Sequence, residues 1–443
     1  MKARSTLPLL LLLASAYMPS SAQQAVPVRG SDEPLGIIDT VIVEGNEKTR
    51  DYVILNEMAL KPGMQATFEA VEFDRNRIYN LGLFTRVDIY YDSLGTTHFL
   101  YIAVRERWYL IPIPIFGFRY GDPRKIYFGA GFLHNNVGGR NQKLFASLTL
   151  GYDPSVSLSF FDPLIDRENQ LYLSGSLSYS RVQNKSEQQA ELAGDFEEHH
   201  FNTTATLGKR FSLYQTAGIT FGFQVVSVSA YAPGRTVDPG GRDNVVYGAL
   251  NYVYDSRDLS EYASRGFYAS LSLTNFAFLP SGTDFVRYGA DFRKFIPLPF
   301  DLTLAGRVAG SVVSGGELPT YSHVYFGYGE KIRGYFRSIF EGEDMFGGSI
   351  ELRYALLPPR TIQVTGLPVP EEFSIWRFGV SLVLFTDTGV TWYRGDVVQI
   401  SSLRSGYGGG IHFLLPYGVI TRVEYAFDLY HKGQFILDFR GSF

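Results

Sequence analysis

The chain has 443 residues, a formal net charge of −4 at pH 7 and no cysteine. Disulfides, thiol catalysis and cysteine metal sites are therefore excluded, and the charge balance withholds the basic face that a nucleic-acid partner needs. Aromatic residues are 15% of the chain, with 30 Tyr and 35 Phe beside 46 Gly, a mixture that suits strands and turns over helices.

Lys2 and Arg4 precede an apolar run from Leu7 to Ala16, and Ser20-Ser21-Ala22 puts small residues where a signal peptidase reads. Residues 1–22 are expected to be a secretory signal peptide, since the run is too short to span a bilayer. Residues 23–35 are polar, carry Pro27 and Pro34, and read as a linker. Residues 36–107 read as a small α+β domain. Ile38 to Val43 forms a strand ended by Glu44-Gly45-Asn46. Thr49 is expected to cap a short helix with Ile54 and Met58 on one face, broken by Lys61-Pro62-Gly63. Thr67 caps a second helix through Val71, Ile78 and Leu81, stopped at Gly82. Strands near 86–91 and 99–105 complete an order of strand, helix, helix, strand, strand, in about the smallest length that folds alone.

From Trp108 onward the helical period disappears. Strand-length segments alternate with turn clusters to the end of the chain, about sixteen in all, an even count in the range of bacterial outer-membrane barrels. Their faces alternate. Ile350, Leu352, Tyr354 and Leu356 oppose Ser349, Glu351 and Arg353, and Val423, Tyr425 and Phe427 oppose Arg422, Glu424 and Asp428. A soluble barrel would turn the apolar face inward and a membrane barrel would turn it outward to lipid. The last strand puts Phe435, Leu437, Phe439 and Phe443 on one face. With the signal peptide and strand count, that ending favours a transmembrane antiparallel β-barrel over 108–443.

One connection stands apart. Around 321–345 the chain is irregular and charged, and it contains Phe326-Gly327-Tyr328-Gly329-Glu330-Lys331-Ile332-Arg333-Gly334-Tyr335. Three glycines allow close approach to a wall, and the arginine offers a planar fork for carboxylates. The segment reads as a loop folded into the barrel. Arg333 would there be partly desolvated and would need acidic partners.

The order of elements in 36–107, with Val43-Glu44-Gly45-Asn46 at its first turn and Gly82-Leu83-Phe84 before its second strand, resembles a POTRA domain, a periplasmic module that grips client chains by strand addition. Residues 36–443 together resemble the outer-membrane assembly-factor superfamily, which includes the BamA and TamA insertases and the two-partner secretion transporters. Ile332-Arg333-Gly334-Tyr335 matches the family's (V/I)-R-G-(F/Y) loop signature. Asn135-Asn136-Val137-Gly138-Gly139-Arg140 resembles its early barrel turn. Asp255-Ser256-Arg257-Asp258, followed by Gly266, resembles its mid-barrel turn. Phe385-Thr386-Asp387-Thr388-Gly389 resembles its late-strand motif, and the terminal Phe435, Leu437, Phe439 and Phe443 resemble its sorting strand.

The resemblance implies that Arg333 bridges Glu351 and Asp387. It implies an outer-membrane barrel with its POTRA domain in the periplasm, acting on unfolded outer-membrane protein clients or a secreted polypeptide, in contact with lipid and accessory lipoproteins. It also implies a barrel closed weakly between first and last strands, with the loop bracing the wall opposite that gap. BamA-like insertases carry several POTRA domains, whereas 36–107 has room for one, so a secretion pore and a passive pore stay in view. Glu197-Glu198-His199-His200 matches no strong metal-ligand spacing, and Asp255 with Asp258 reads as a turn and not as paired catalytic carboxylates. The chain has no phosphate-binding Gly-rich loop, no Gly-x-Ser-x-Gly elbow and no His-Glu-x-x-His helix. No enzymatic activity, cofactor, metal or nucleic acid is expected.

Overall fold

The computed structural model describes residues 34–119, 124–277, 282–364 and 374–439. The expected signal peptide, most of the linker and Phe443 lie outside the described residues.

The N-terminal domain begins with β1 (Pro34–Ile37) and β2 (Thr40–Glu44), followed by α1 (Asp51–Leu55), β3 (Gln65–Thr67) and α2 (Phe68–Asn80), then β4 (Phe84–Leu94) and β5 (Thr97–Glu106). β5 is central, parallel to β2 and antiparallel to β4. The helices cover one face, and Ile38, Ile54, Ile78, Leu83, Leu100 and Ile102 are fully buried between the layers. Thr67 caps α2, accepting from the Ala70 N–H at 3.2 Å.

Two details differ from the sequence reading. Thr49 is not the cap of α1. The N-cap is Arg50, with no side-chain cap, because the Thr49 hydroxyl is committed to Glu106 at 2.7 Å and lies 2.8 Å from the Tyr109 hydroxyl. The pair β1–β3 was also unforeseen. Strands of three and four residues are too short for an alternation to register.

The rest is one sixteen-stranded antiparallel sheet, with one additional pair of short strands. Its strands are β6 (Leu110–Phe118), β7 (Ile126–Val137), β8 (Gln142–Gly151), β9 (Ser155–Asp166) and β10 (Leu171–Gln183). After α3 (Glu187–Ala193) come β11 (Glu197–Arg210), β12 (Gln215–Val228), β13 (Arg242–Asp255), β14 (Gly266–Asn275), β15 (Phe285–Leu298) and β16 (Leu302–Gly315). The short pair β17 (Val324–Phe326) and β18 (Phe340–Gly342) then interrupts, and β19 (Asp344–Gln363), β20 (Ile375–Trp392), β21 (Arg404–Leu414), β22 (Ile420–Asp428) and β23 (Gly433–Asp438) complete the sheet. Each strand pairs with its neighbour in the chain, β16 pairing with β19 across the interruption. Among the described residues no pairing joins β6 to β23, so the sheet is open there.

The outward face is apolar. Leu384 is 64% exposed and Phe116 68%, and Ile350, Leu356, Phe221, Phe435, Leu437 and Phe439 share that exposure. The inward face carries buried charge at Glu351, Arg353, Asp387, Arg422 and Glu424. Apolar out and charged in is the arrangement of a barrel solvated by lipid. Among the described residues no helix is long and apolar enough to cross a membrane.

Candidate functional site

The connection from β16 to β19 turns into the lumen as the hairpin β17–β18, whose tip carries the loop signature. Glycines on both sides let the tip lie flush against the wall. Gly334 has φ +97°, and a Cβ there would stand 2.6 Å from the Phe427 carbonyl oxygen. A Cβ on Gly406 of β21 would stand 2.2 Å from the Arg333 carbonyl oxygen. Ile332 is buried against Gly389, where an added Cβ would meet its side chain at 2.8 Å.

That approach delivers Arg333 into a nest of three acids. Its Nη1 lies 2.6 Å from Glu351 and 3.0 Å from Glu424, and its Nη2 lies 2.7 Å from Asp387. The backbone N–H and Nε of Arg333 both donate to Asp387, at 2.9 and 2.7 Å. The guanidinium stacks 3.6 Å from the Phe385 ring centroid. The acids are shared outward: Glu351 also holds Arg353 at 2.7 Å, and His412 lies 3.0 Å from Glu424. Arg333 is 3% exposed and Glu351 is 0% exposed. A charge so desolvated is tolerated only when paired and fully hydrogen-bonded, and the bidentate fork to Asp387 is a contact that lysine cannot copy.

Glu424 was on the predicted inward face but was not foreseen as a partner of Arg333. Arg422 and Glu424 alternate there with apolar residues, and nothing in one strand's pattern says which inward acid meets a loop arginine 91 residues away. The wall assignment also needs correction. The tip does not brace the wall opposite the gap. Its anchors lie on β19, β20 and β22, and the Gln434 side-chain amide of β23 donates to the Gly334 carbonyl. The tip is thus bound to the C-terminal flank of the opening, where the small Gly389 and Gly406 leave room for it.

Other contacts fix the remainder of the loop. Glu330 holds Arg307 of β16 at 2.8 Å, and Arg307 also pairs with Asp291 of β15 at 2.9 Å. Tyr328 donates to the Lys185 carbonyl at 3.3 Å, and Tyr321 to Asp243 at 2.7 Å. Beneath the hairpin lies a lumenal cavity of about 1340 Å³, lined in part by Arg307, Glu330, Arg333 and Asp387.

The turn motifs lie at the other end of the barrel, against the N-terminal domain. Gly139 accepts from the Arg50 N–H at 2.9 Å, and its own Cβ position is 2.0 Å from the Lys48 carbonyl oxygen. Asn136 donates to Thr49 at 2.9 Å, whereas Arg140 is exposed. Asp255 grips Arg257 with a fork at 2.7 and 2.9 Å. Asp258 caps the turn by accepting from Ser264 and Arg265, and its carbonyl accepts from Asn80 of α2 at 3.0 Å. The two aspartates thus organise a turn. A further dock joins Glu57 to Arg210 and Arg77, each at 2.6 Å. Burial alone would raise the Glu57 carboxyl, but the guanidiniums of Arg210 and Arg77 outweigh it and hold the group below the usual carboxylate range. Burial prevails at Asp74, whose carboxyl is raised although it accepts from the Ala59 and Leu60 N–H groups.

The run 197–200 divides between the two faces of β11. His200 pairs with Glu198 at 2.8 Å and His199 with the Tyr179 hydroxyl at 2.8 Å. Among the described residues no group of three acidic or histidine side chains could hold a metal ion.

Residues 136–435 match the Omp85 superfamily domain. The chain belongs to the Omp85 superfamily. Residues 37–107 match the POTRA model described as a surface antigen variable number repeat. The Omp85 chain is 23% identical over 432 residues to the outer membrane protein assembly factor BamA of Nitratidesulfovibrio vulgaris, covering 90% of this chain and 50% of that protein. It therefore spans half the length of the curated relative it matches. Among solved structures, the fold is similar to BamA from Haemophilus ducreyi lacking POTRA domains 1–3, with TM-score 0.53, 15% identity, and coverage of 91% of this chain and 83% of that one. It is equally similar to CdiB from Escherichia coli, with TM-score 0.55, 12% identity, and coverage of 91% and 74%. As an Omp85 protein the chain is an outer-membrane barrel with its POTRA domain in the periplasm. The contacts at Gly139, Asn80 and Glu57 thereby mark the periplasmic end.

Proposed function

We propose that this chain is an assembly factor that captures unfolded outer-membrane protein clients with its POTRA domain and templates their insertion at the seam between β6 and β23. The observation that carries the reading is the open seam itself, with the lumenal loop tied to one of its edges through Gln434. Unpaired strand edges at membrane depth demand partners, since lipid offers none. Arg333, Glu351, Asp387 and Glu424 act as the lock that holds the loop, and so the β19–β23 wall, in one arrangement. The terminal residues Phe435, Leu437 and Phe439 face lipid and serve the sorting role that the sequence suggested. Lipid and accessory lipoproteins complete the expected surroundings.

A secretion pore of the two-partner type is the second reading, favoured by the polar lumenal cavity under the loop. In that case the loop moves and a polypeptide passes through the lumen. The two readings separate in liposomes containing the purified protein. An insertase accelerates folding of an unfolded barrel client into the membrane relative to protein-free liposomes. A secretion pore leaves that rate unchanged and carries a polypeptide into the liposome interior.

A further inference from the structure

The turn from β13 to β14, residues 256–265, reaches inward across the lumen. Ala263 is buried against Phe295 of β15 and Ala305 of β16. Tyr262 goes further, to Arg353 of β19 and His412 of β21. In the sheet β15, β16, β19 and β20 all stand between β14 and β21, so the turn forms a chord. Its shape is fixed from within, since Asp258 accepts from Ser264 and Arg265 and donates its own N–H to the Arg265 carbonyl at 3.1 Å.

Tyr262 touches both groups that stand behind the Arg333 lock. Nη1 of Arg333 is shared by Glu351 and Glu424. The second oxygen of Glu351 accepts from Arg353 Nε at 2.7 Å. The Glu424 oxygen that takes Arg333 also stands 3.0 Å from His412 Nε2. A carboxylate cannot donate, so that nitrogen carries a proton. In the neutral ring Nδ1 is then the acceptor for the Tyr262 hydroxyl, 3.1 Å away. On the other side the Arg353 guanidinium lies 4.5 Å from the centroid of the Tyr262 ring, and its Nη1 donates to the Ala263 carbonyl at 3.4 Å. Arg353, His412, Glu351 and Glu424 are all buried, where polar contacts support one another and are costly to lose.

The POTRA domain grips the same turn. Asn80 is the last residue of α2. Its side-chain amide donates to the Asp258 carbonyl at 3.0 Å, and its oxygen accepts from the Ser260 N–H at 3.1 Å. Only Glu261 separates Ser260 from Tyr262. Glu261 lies against the turn at 416–418, where a Cβ on Gly418 would stand 2.7 Å from its carboxylate.

We propose that Tyr262 is a positioning residue for the Arg333 lock, and that through the turn 256–265 the docked POTRA domain sets how firmly the loop is held. This deepens the assembly-factor reading, in which the Arg333 cluster locks the loop, and rests on it. With Asn80 seated, Tyr262 keeps Arg353 on Glu351 and His412 on Glu424, and the two acids face Nη1 of Arg333. When the POTRA domain leaves the turn, that support goes and the acids lose their fixed geometry. The fork from Arg333 to Asp387 is untouched, so the loop loosens without being freed.

The test uses the full-length protein in liposomes and hydrogen exchange of residues 327–336. Asn80→Ala and Tyr262→Ala are each expected to speed exchange there about 5-fold or more, less than Arg333→Ala does, while β8 to β13 stay protected. The double variant is expected to match Tyr262→Ala alone, because Asn80 acts through Tyr262. Tyr262→Phe keeps the ring beside Arg353, removes the hydroxyl from His412, and should give an intermediate rate. Folding is checked by gel mobility before and after heating. Asn80→Cys with Ser260→Cys, in a chain that has no cysteine, tests the dock with Tyr262 intact: oxidation should slow exchange and reduction restore it. Exchange unchanged by Asn80→Ala and by oxidation, with the loop still released by Arg333→Ala, overturns this inference and leaves the lock standing. Additive effects of Asn80→Ala and Tyr262→Ala overturn the role of Tyr262. A loop that stays protected in Arg333→Ala overturns the lock and this inference with it.

Discussion

The Gln434 side-chain amide donates to the carbonyl of Gly334. One residue is on the last strand of the sheet and the other at the tip of the lumenal loop, so the loop and the seam edge are mechanically joined. Arg333, next in the chain to Gly334, carries the charge that secures the joint. Motion of the loop and motion of β23 are thereby coupled.

Removing the arginine leaves three buried carboxylates without their shared cation. Breaking a buried pair in this way costs about 3–5 kcal/mol. Arg333→Ala is expected to expose residues 321–345 to hydrogen exchange while the strands β8 to β13 stay protected. Arg333→Lys should recover part of the loss, because it restores charge without the two-pronged contact to Asp387. Equal protection in all three proteins would show that the loop is held by other means.

Steric fit can be tested without touching charge. Gly406→Ala puts a methyl 2.2 Å from the Arg333 carbonyl oxygen, so the tip must lift. Gly329→Ala meets nothing within 4 Å and serves as the control. Limited proteolysis in the loop should accelerate for the first variant and stay unchanged for the second.

At the periplasmic end, Gly139→Ala drives a methyl to within 2.0 Å of the Lys48 carbonyl oxygen, whereas Gly138→Ala, also at positive φ, meets nothing within 4 Å. Both carry the backbone cost of a left-handed residue, about 1 kcal/mol. Only the first should also loosen the POTRA domain from the barrel, read as increased exchange of residues 48–55.

Much of this was legible in the sequence, and the exceptions have physical causes. The sixteen barrel strands could be read because lipid and lumen impose opposite polarity on alternate residues, as Leu384 and Glu351 illustrate. The shape of the loop signature could be read because glycine beside arginine has no packing use on an exposed turn. Glu424 could not be singled out, since Arg422 and Asp428 stand on the same face with the same local pattern. Gly139 read as a turn residue because its partner, Lys48, belongs to another domain. Thr49 read as a helix cap because a hydroxyl before a helix ordinarily serves there, and its capture by Glu106 depends on tertiary structure.

The dock at Glu57 has a defined pH dependence. Its carboxyl titrates below the ordinary 4.5 because Arg210 and Arg77 outweigh burial. A group lowered in the folded state stabilises fully above its unfolded value, and that contribution is lost as pH falls through the lower folded value. Glu57→Gln should therefore lower the thermal midpoint at neutral pH, and the difference from the native protein should shrink on acidification. A difference that is constant with pH would assign the effect to packing.

The central claim is that the seam between β6 and β23 is the working site. The most direct measurement is the insertion rate of an unfolded barrel client in liposomes containing the Phe116→Cys, Phe435→Cys protein, before and after the two cysteines are joined by a flexible bis-maleimide. The account predicts acceleration by the unbridged protein and loss of that acceleration once the seam is bridged, with recovery when a reducible linker is cleaved. Undiminished acceleration by the bridged protein would contradict it and place the activity away from the seam.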